Sequence, residues 1–183
     1  SALRSTPASH RPCSIRRMST FQGLPVHPLL VHFIVVLAPL TAVLAILCAF
    51  WPAARQRLVW LVLALAGVVA VLTPIAAEAG EWLEHNIEES ELVEKHAEMG
   101  DTMLYFALAL LVAAVLLVIR HVREHRGKPL SSALSGVIAV FILLAGVATT
   151  VQVFRIGHSG AEATWGDAVT PAVAGAVDDD DEK

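Results

Sequence analysis

Apolar residues come along this chain in four long blocks, separated by short stretches in which the charged residues gather. Residues 29–54, 58–77, 102–119 and 129–154 hold no Asp, Glu, Lys or Arg. Each block is close to or above the roughly 18–20 residues that carry a helix across a hydrocarbon core about 30 Å thick. The pattern predicts an all-α integral membrane protein, an antiparallel four-helix bundle with spans at about 28–51, 58–85, 91–124 and 130–157. Local signals agree with these limits. Pro28 suits a first helical turn, where its missing N–H costs no hydrogen bond. Ser90 is a candidate N-cap, with Glu91 and Glu94 favouring the positive end of the third helix. Ala64, Ala66, Gly67 and Ala70 in the second span, and Gly136, Ala139 and Gly146 in the fourth, are small residues that let helices approach closely in lipid. Pro39 falls within the first span, where neighbouring helices can satisfy the carbonyl it frees.

Composition fits one membrane domain. The 183 residues are 56% hydrophobic and 16% charged, too little polar surface for a water-soluble globule. Nothing in the chain resembles a phosphate-binding glycine loop or a nucleic-acid surface. Cys13 and Cys48 form no CxxC or haem-attaching motif.

Charge supplies an orientation. Arg55 and Arg57 occupy the first connection, and Arg120, Arg123, Arg126 and Lys128 the third. Basic residues in short loops are retained on the cytoplasmic side, so the second connection and both termini are expected outside. Arg4, Arg11, Arg16 and Arg17 run against this rule. A start at Met18 would remove them, so residues 1–17 are expected to be a leader outside the fold. The four-span domain is expected over 18–165, followed by a disordered acidic tail over 166–183.

With this topology, one end of the bundle collects five of the seven histidines that follow Met18: His27, His32, His85, His96 and His158. Glu78, Glu81 and Arg155 join them there. Ionisable residues at a membrane boundary are functional candidates. Imidazoles on facing helices can ligate haem iron or a transition metal, with carboxylates as further ligands or as orienting groups. His32, His96, His158, Glu78, Glu81 and His85 are therefore candidate metal ligands, for zinc or copper. His27, His32, His96 and His158 are candidate haem ligands, with Arg155 a partner for a haem propionate. Counting ~1.5 Å per residue from the apolar boundary puts His32 inside and His27 slightly outside. On that count His32 is the buried ligand, and His27 orients or caps. His96, Gly100 and Met103 share one helical face. His121 and His125, among arginines at the other end, suit a helix C-terminus. The Glu-x-x-His pattern of di-iron bundles is missing. The sequence Gly157-His-Ser-Gly160 resembles the nucleophile motif of intramembrane serine proteases, but its serine follows a helix end.

The first-span motif GLPVHPLLVHF, the acidic exit of the second span, the histidine opening the third and the FRIGHSGAE exit of the fourth resemble the bacterial integral membrane family called domain of unknown function 2231. The likeness covers about residues 23–165. It departs at Ile34, where the family commonly has proline, and at Glu78, where members often have aspartate. Such domains occur with cytochrome c and Rieske-type redox domains, and their layout is similar to four-helix cytochromes b. The resemblance implies a protein of the bacterial plasma membrane that binds haem b and transfers electrons in a respiratory or redox assembly, rather than a stand-alone enzyme. It carries over His27, His32, His96 and His158. The competing expectations are a transition-metal-binding or transporter-like protein and a structural accessory subunit. Against transport, the spans carry no mid-membrane charge.

Overall fold

The computed structural model describes the backbone of residues 20–21, 24–84 and 91–178, with the side chains of 27–83 and 91–165. It is all-helical apart from one two-residue pairing, β1 (Thr20–Phe21) with β2 (Leu24–Pro25), ahead of the first helix. The helices are α1 (Val26–Phe50), α2 (Pro52–Glu84), α3 (Glu91–His125) and α4 (Ser132–Asp178). All four are long and apolar enough to cross a membrane.

Two boundaries differ from the pattern. The second helix starts at Pro52 rather than near residue 58, so Trp51 alone separates it from α1. Proline at the first helical position loses no hydrogen bond, and Ala53 and Ala54 continue with the best helix-forming residue. The fourth helix continues through 166–178, where a tail without structure is expected; that stretch is rich in alanine. The expected leader, residues 1–17, lies outside the described residues, as does the end of the tail.

The helices form a ring in which α1 packs on α2, α2 on α3, α3 on α4 and α4 on α1, while α1 and α3 touch only sparsely across the diagonal. Small side chains fill the centre. Ala38, Ala42, Ala45, Ala66, Ala107, Ala113 and Ala114 are almost fully buried, whereas Val36, Val137 and Leu144 are more than 60% exposed. A water-soluble bundle would turn these large apolar groups inward, because an exposed apolar surface of this extent is costly in water. In lipid no such cost exists, and close backbone approach becomes the source of cohesion. Where α1 meets α4, a Cβ placed on Gly146 would lie 3.0 Å from Cδ1 of Ile46.

Polar groups inside the bundle satisfy themselves locally. The hydroxyls of Thr41, Thr73 and Thr149 donate to the carbonyls of Leu37, Val69 and Ala145, one turn back. At the end formed by the first and third connections, Arg55 is buried and binds both carboxylate oxygens of Glu124, at 2.8 and 3.1 Å from Nη2. Arg55 also donates to the carbonyl of Cys48 at 2.9 Å, and Arg120 to Glu124 and to the carbonyl of Ala49. The C-terminal carbonyls of α1, which have no partners within their own helix, are thus capped by two guanidinium groups. Beside this clasp, the rings of His121 and His125 meet edge to face, 4.4 Å apart. His121 is buried there and His125 is exposed.

Candidate functional site

At the opposite end of the bundle the four helices enclose a cavity of about 340 Å³. Its walls are mostly apolar, with Ile34, Met103, Val153 and Ile156 among them, and its polar groups include His27, Thr73, Glu81, His96 and Asp101. Pockets of this size and character are the usual form of small-molecule and cofactor sites.

Two imidazoles meet at this space. His27 comes from the first turn of α1 and His96 from the second turn of α3, the helices on opposite corners of the ring. Their ring centroids are 6.4 Å apart and their planes are nearly perpendicular, at 87°. Each ring is tied to a third helix through Nδ1. For His27 the partner is the carbonyl oxygen of Ala76 at 2.8 Å, and for His96 it is the hydroxyl of Ser159 at 3.0 Å. Each ring also lies against a glycine. A Cβ at Gly80 would come within 2.9 Å of the His27 ring, and one at Gly160 within 3.0 Å of the His96 ring. Below the cavity, Gln152 is buried and donates to the Thr102 hydroxyl at 2.8 Å.

The residues singled out in the sequence divide into three groups. His27, His96 and Glu81 line the cavity, as do Gly100 and Met103. His32, His158, Glu78 and Arg155 are exposed and are not among the lining residues. His32 hydrogen-bonds through Nδ1 to the carbonyl of Pro28, its own helix, and His158 pairs with Glu162 at 3.5 Å. His85 lies outside the described residues. The depth count makes His32 the buried one of the two first-span histidines, whereas the structure turns His27 into the bundle and His32 outward. Five residues along a helix turn the chain by about 500°, so the two side chains point well apart, and depth alone does not say which faces in.

The protease-like motif is resolved by the same contacts. The Ser159 hydroxyl donates to the carbonyl of Ile156 at 2.9 Å, three residues back, and its oxygen faces the His96 ring. A helix carbonyl is thus an acceptor for its proton alongside the imidazole. Gly80, Gly160 and Ser159 were not among the expected site residues. The signal that marks them is a glycine at the same level as each histidine on the neighbouring helix. Among the described residues, no three His, Cys, Asp or Glu side chains converge as a metal ligand set.

Four apolar membrane-length helices around a small-residue core, with a largely apolar cavity at one end, define a multi-pass membrane protein. Within that class the chain belongs to the predicted membrane protein family DUF2231, whose model matches residues 23–172. No curated protein and no solved structure matches the chain.

Proposed function

We propose that the protein binds b-type haem between His27 and His96 and passes electrons in a redox assembly of the bacterial plasma membrane, with the cavity end and both termini outside. The observation that carries this reading is the pair of imidazoles set 6.4 Å apart on opposite helices. With metal–nitrogen distances of ~2 Å and about 1 Å from each ring nitrogen to its ring centre, two imidazoles on opposite sides of one metal have centres roughly 6 Å apart. The donor count points the same way. A porphyrin supplies most of its iron's ligands and asks the protein for axial ones, whereas a structural zinc ion asks it for four.

Bound haem would supply a one-electron carrier. The chain's own residues would do the rest: His27 and His96 hold the group, Ala76 and Ser159 fix the rings, and Ile34, Met103 and Val153 keep water from the apolar side. The basic first and third connections support a cytoplasmic placement of the far end. The company that such domains keep supports a cytochrome c or Rieske-type protein as redox partner. A second reading keeps the same imidazoles and replaces haem by zinc or copper; Glu81 and Asp101 also line the cavity but do not converge with them on one point.

The test is an optical spectrum of the detergent-purified protein expressed with ample haem. Reducible Soret and alpha bands are expected, lost in His27→Ala and in His96→Ala and kept in His32→Ala and His158→Ala. Absence of both bands and of iron from the wild-type protein sinks the haem reading, and stoichiometric zinc or copper without porphyrin establishes the second.

A further inference from the structure

The two helical hairpins build the same seat twice. In the first, His27 stands near the start of α1, Nδ1 meets the carbonyl oxygen of Ala76, and Gly80, four residues beyond Ala76, lies against the ring. In the second, His96 stands near the start of α3, and Nδ1 meets Ser159, whose hydroxyl rests on the carbonyl of Ile156. Gly160, four residues beyond Ile156, lies against that ring. Exchanging α1 with α3 and α2 with α4 therefore maps one seat onto the other. Ala76 and Ile156, the matched carbonyl residues, both line the cavity.

The partners fix where the protons are. A carbonyl oxygen only accepts, so Nδ1 of His27 carries a proton and donates it to Ala76. With the Ser159 hydroxyl donating to Ile156, its oxygen is left to accept from Nδ1–H of His96. In a neutral imidazole with Nδ1 protonated, Nε2 holds a lone pair. Backbone-tethered Nδ1 is also how metal-ligating histidines are commonly oriented.

We infer that the duplicated seat makes this cavity a site for a single electron-pair acceptor, which takes one Nε2 lone pair from each hairpin, and that Gly80, Gly160 and Ser159 are its positioning residues. The ligand class is a transition-metal cation, free or carried in a porphyrin. An anion, or a carbonyl oxygen such as a quinone's, needs N–H donors, and both rings spend theirs on the protein. The inference rests on the proposed function for the choice of site, but it does not require that the acceptor be haem.

The experiment uses the full chain in detergent with ¹⁵N-labelled histidine, at alkaline pH and without added metal. His27 and His96, assigned from His27→Gln and His96→Gln spectra, are each expected to show a protonated Nδ1 and a bare Nε2. Gly80→Ala is expected to shift the His27 signals alone, Gly160→Ala and Ser159→Ala those of His96 alone. Haemin and, separately, Cu(I) are then titrated into the protein. At least one is expected to bind at one equivalent per chain, at least tenfold more weakly in each glycine variant. A protonated Nε2 with a bare Nδ1 at either histidine overturns the inference, as does failure of both probes to bind. Cu(I) binding with the expected tautomers, but no haemin binding, overturns the haem reading and upholds the inference.

Discussion

Nδ1 of His27 lies 2.8 Å from the carbonyl oxygen of Ala76, so a side chain of α1 is hydrogen-bonded to the backbone of α2 beside the cavity. Gly80 makes this contact possible, because any larger residue there would displace the ring.

Gly80→Ala is therefore expected to lower stability even though alanine is the better helix former. The gain of roughly 0.5–1 kcal/mol from replacing a helical glycine is set against a lost hydrogen bond of about 1 kcal/mol and a steric clash. Gly67→Ala on the same helix meets nothing within 4 Å and should raise the melting temperature or leave it unchanged. Thermal melts of the two variants in one detergent check the difference in sign.

The Arg55–Glu124 pair at the other end sets a second expectation. Arg55 is 3% exposed and Glu124 34% exposed. Removing one partner of a fully buried pair costs about 3–5 kcal/mol, and partial exposure of Glu124 lowers that to about 2 kcal/mol. Glu124→Gln should lower the melting temperature and leave the cavity histidines unperturbed. A shift in the His27 or His96 signals would show that the two ends are coupled.

Small residues at the ring's centre should resist enlargement. Ala42 is 1% exposed and packs where Gly146 admits Ile46 between α1 and α4. Ala42→Leu inserts three carbons there and is expected to cost about 1–3 kcal/mol. Val36→Leu, on the exposed face of the same helix, should be neutral in the same melting assay.

Orientation can be read with a membrane-impermeant maleimide in a Cys13→Ser background, Cys48 being buried. Glu162→Cys is expected to label in intact cells, and Arg126→Cys only after the membrane is opened. The reverse pattern would place the cavity on the cytoplasmic side.

The sequence by itself determined the four spans, since charge-free stretches of this length have few other uses. It also determined the family and the gathering of His27, His96 and Glu81 at one end, because residues at the same level of neighbouring spans must lie near each other. Only the tertiary structure decided which histidine faces the cavity. In water, a helix announces its inner face by a stripe of apolar residues, but α1 is apolar on every side, and lipid accepts Val36 as readily as the core accepts Ala38. The remaining signal is size rather than polarity: Ala38, Ala42 and Ala45 mark the inward face, while Val36, Leu40 and Val43 mark the outward one. The seats of the two imidazoles were less legible still. A backbone carbonyl leaves no trace in a sequence, and Gly80 and Gly160 become meaningful only when packing sets His27 and His96 against them.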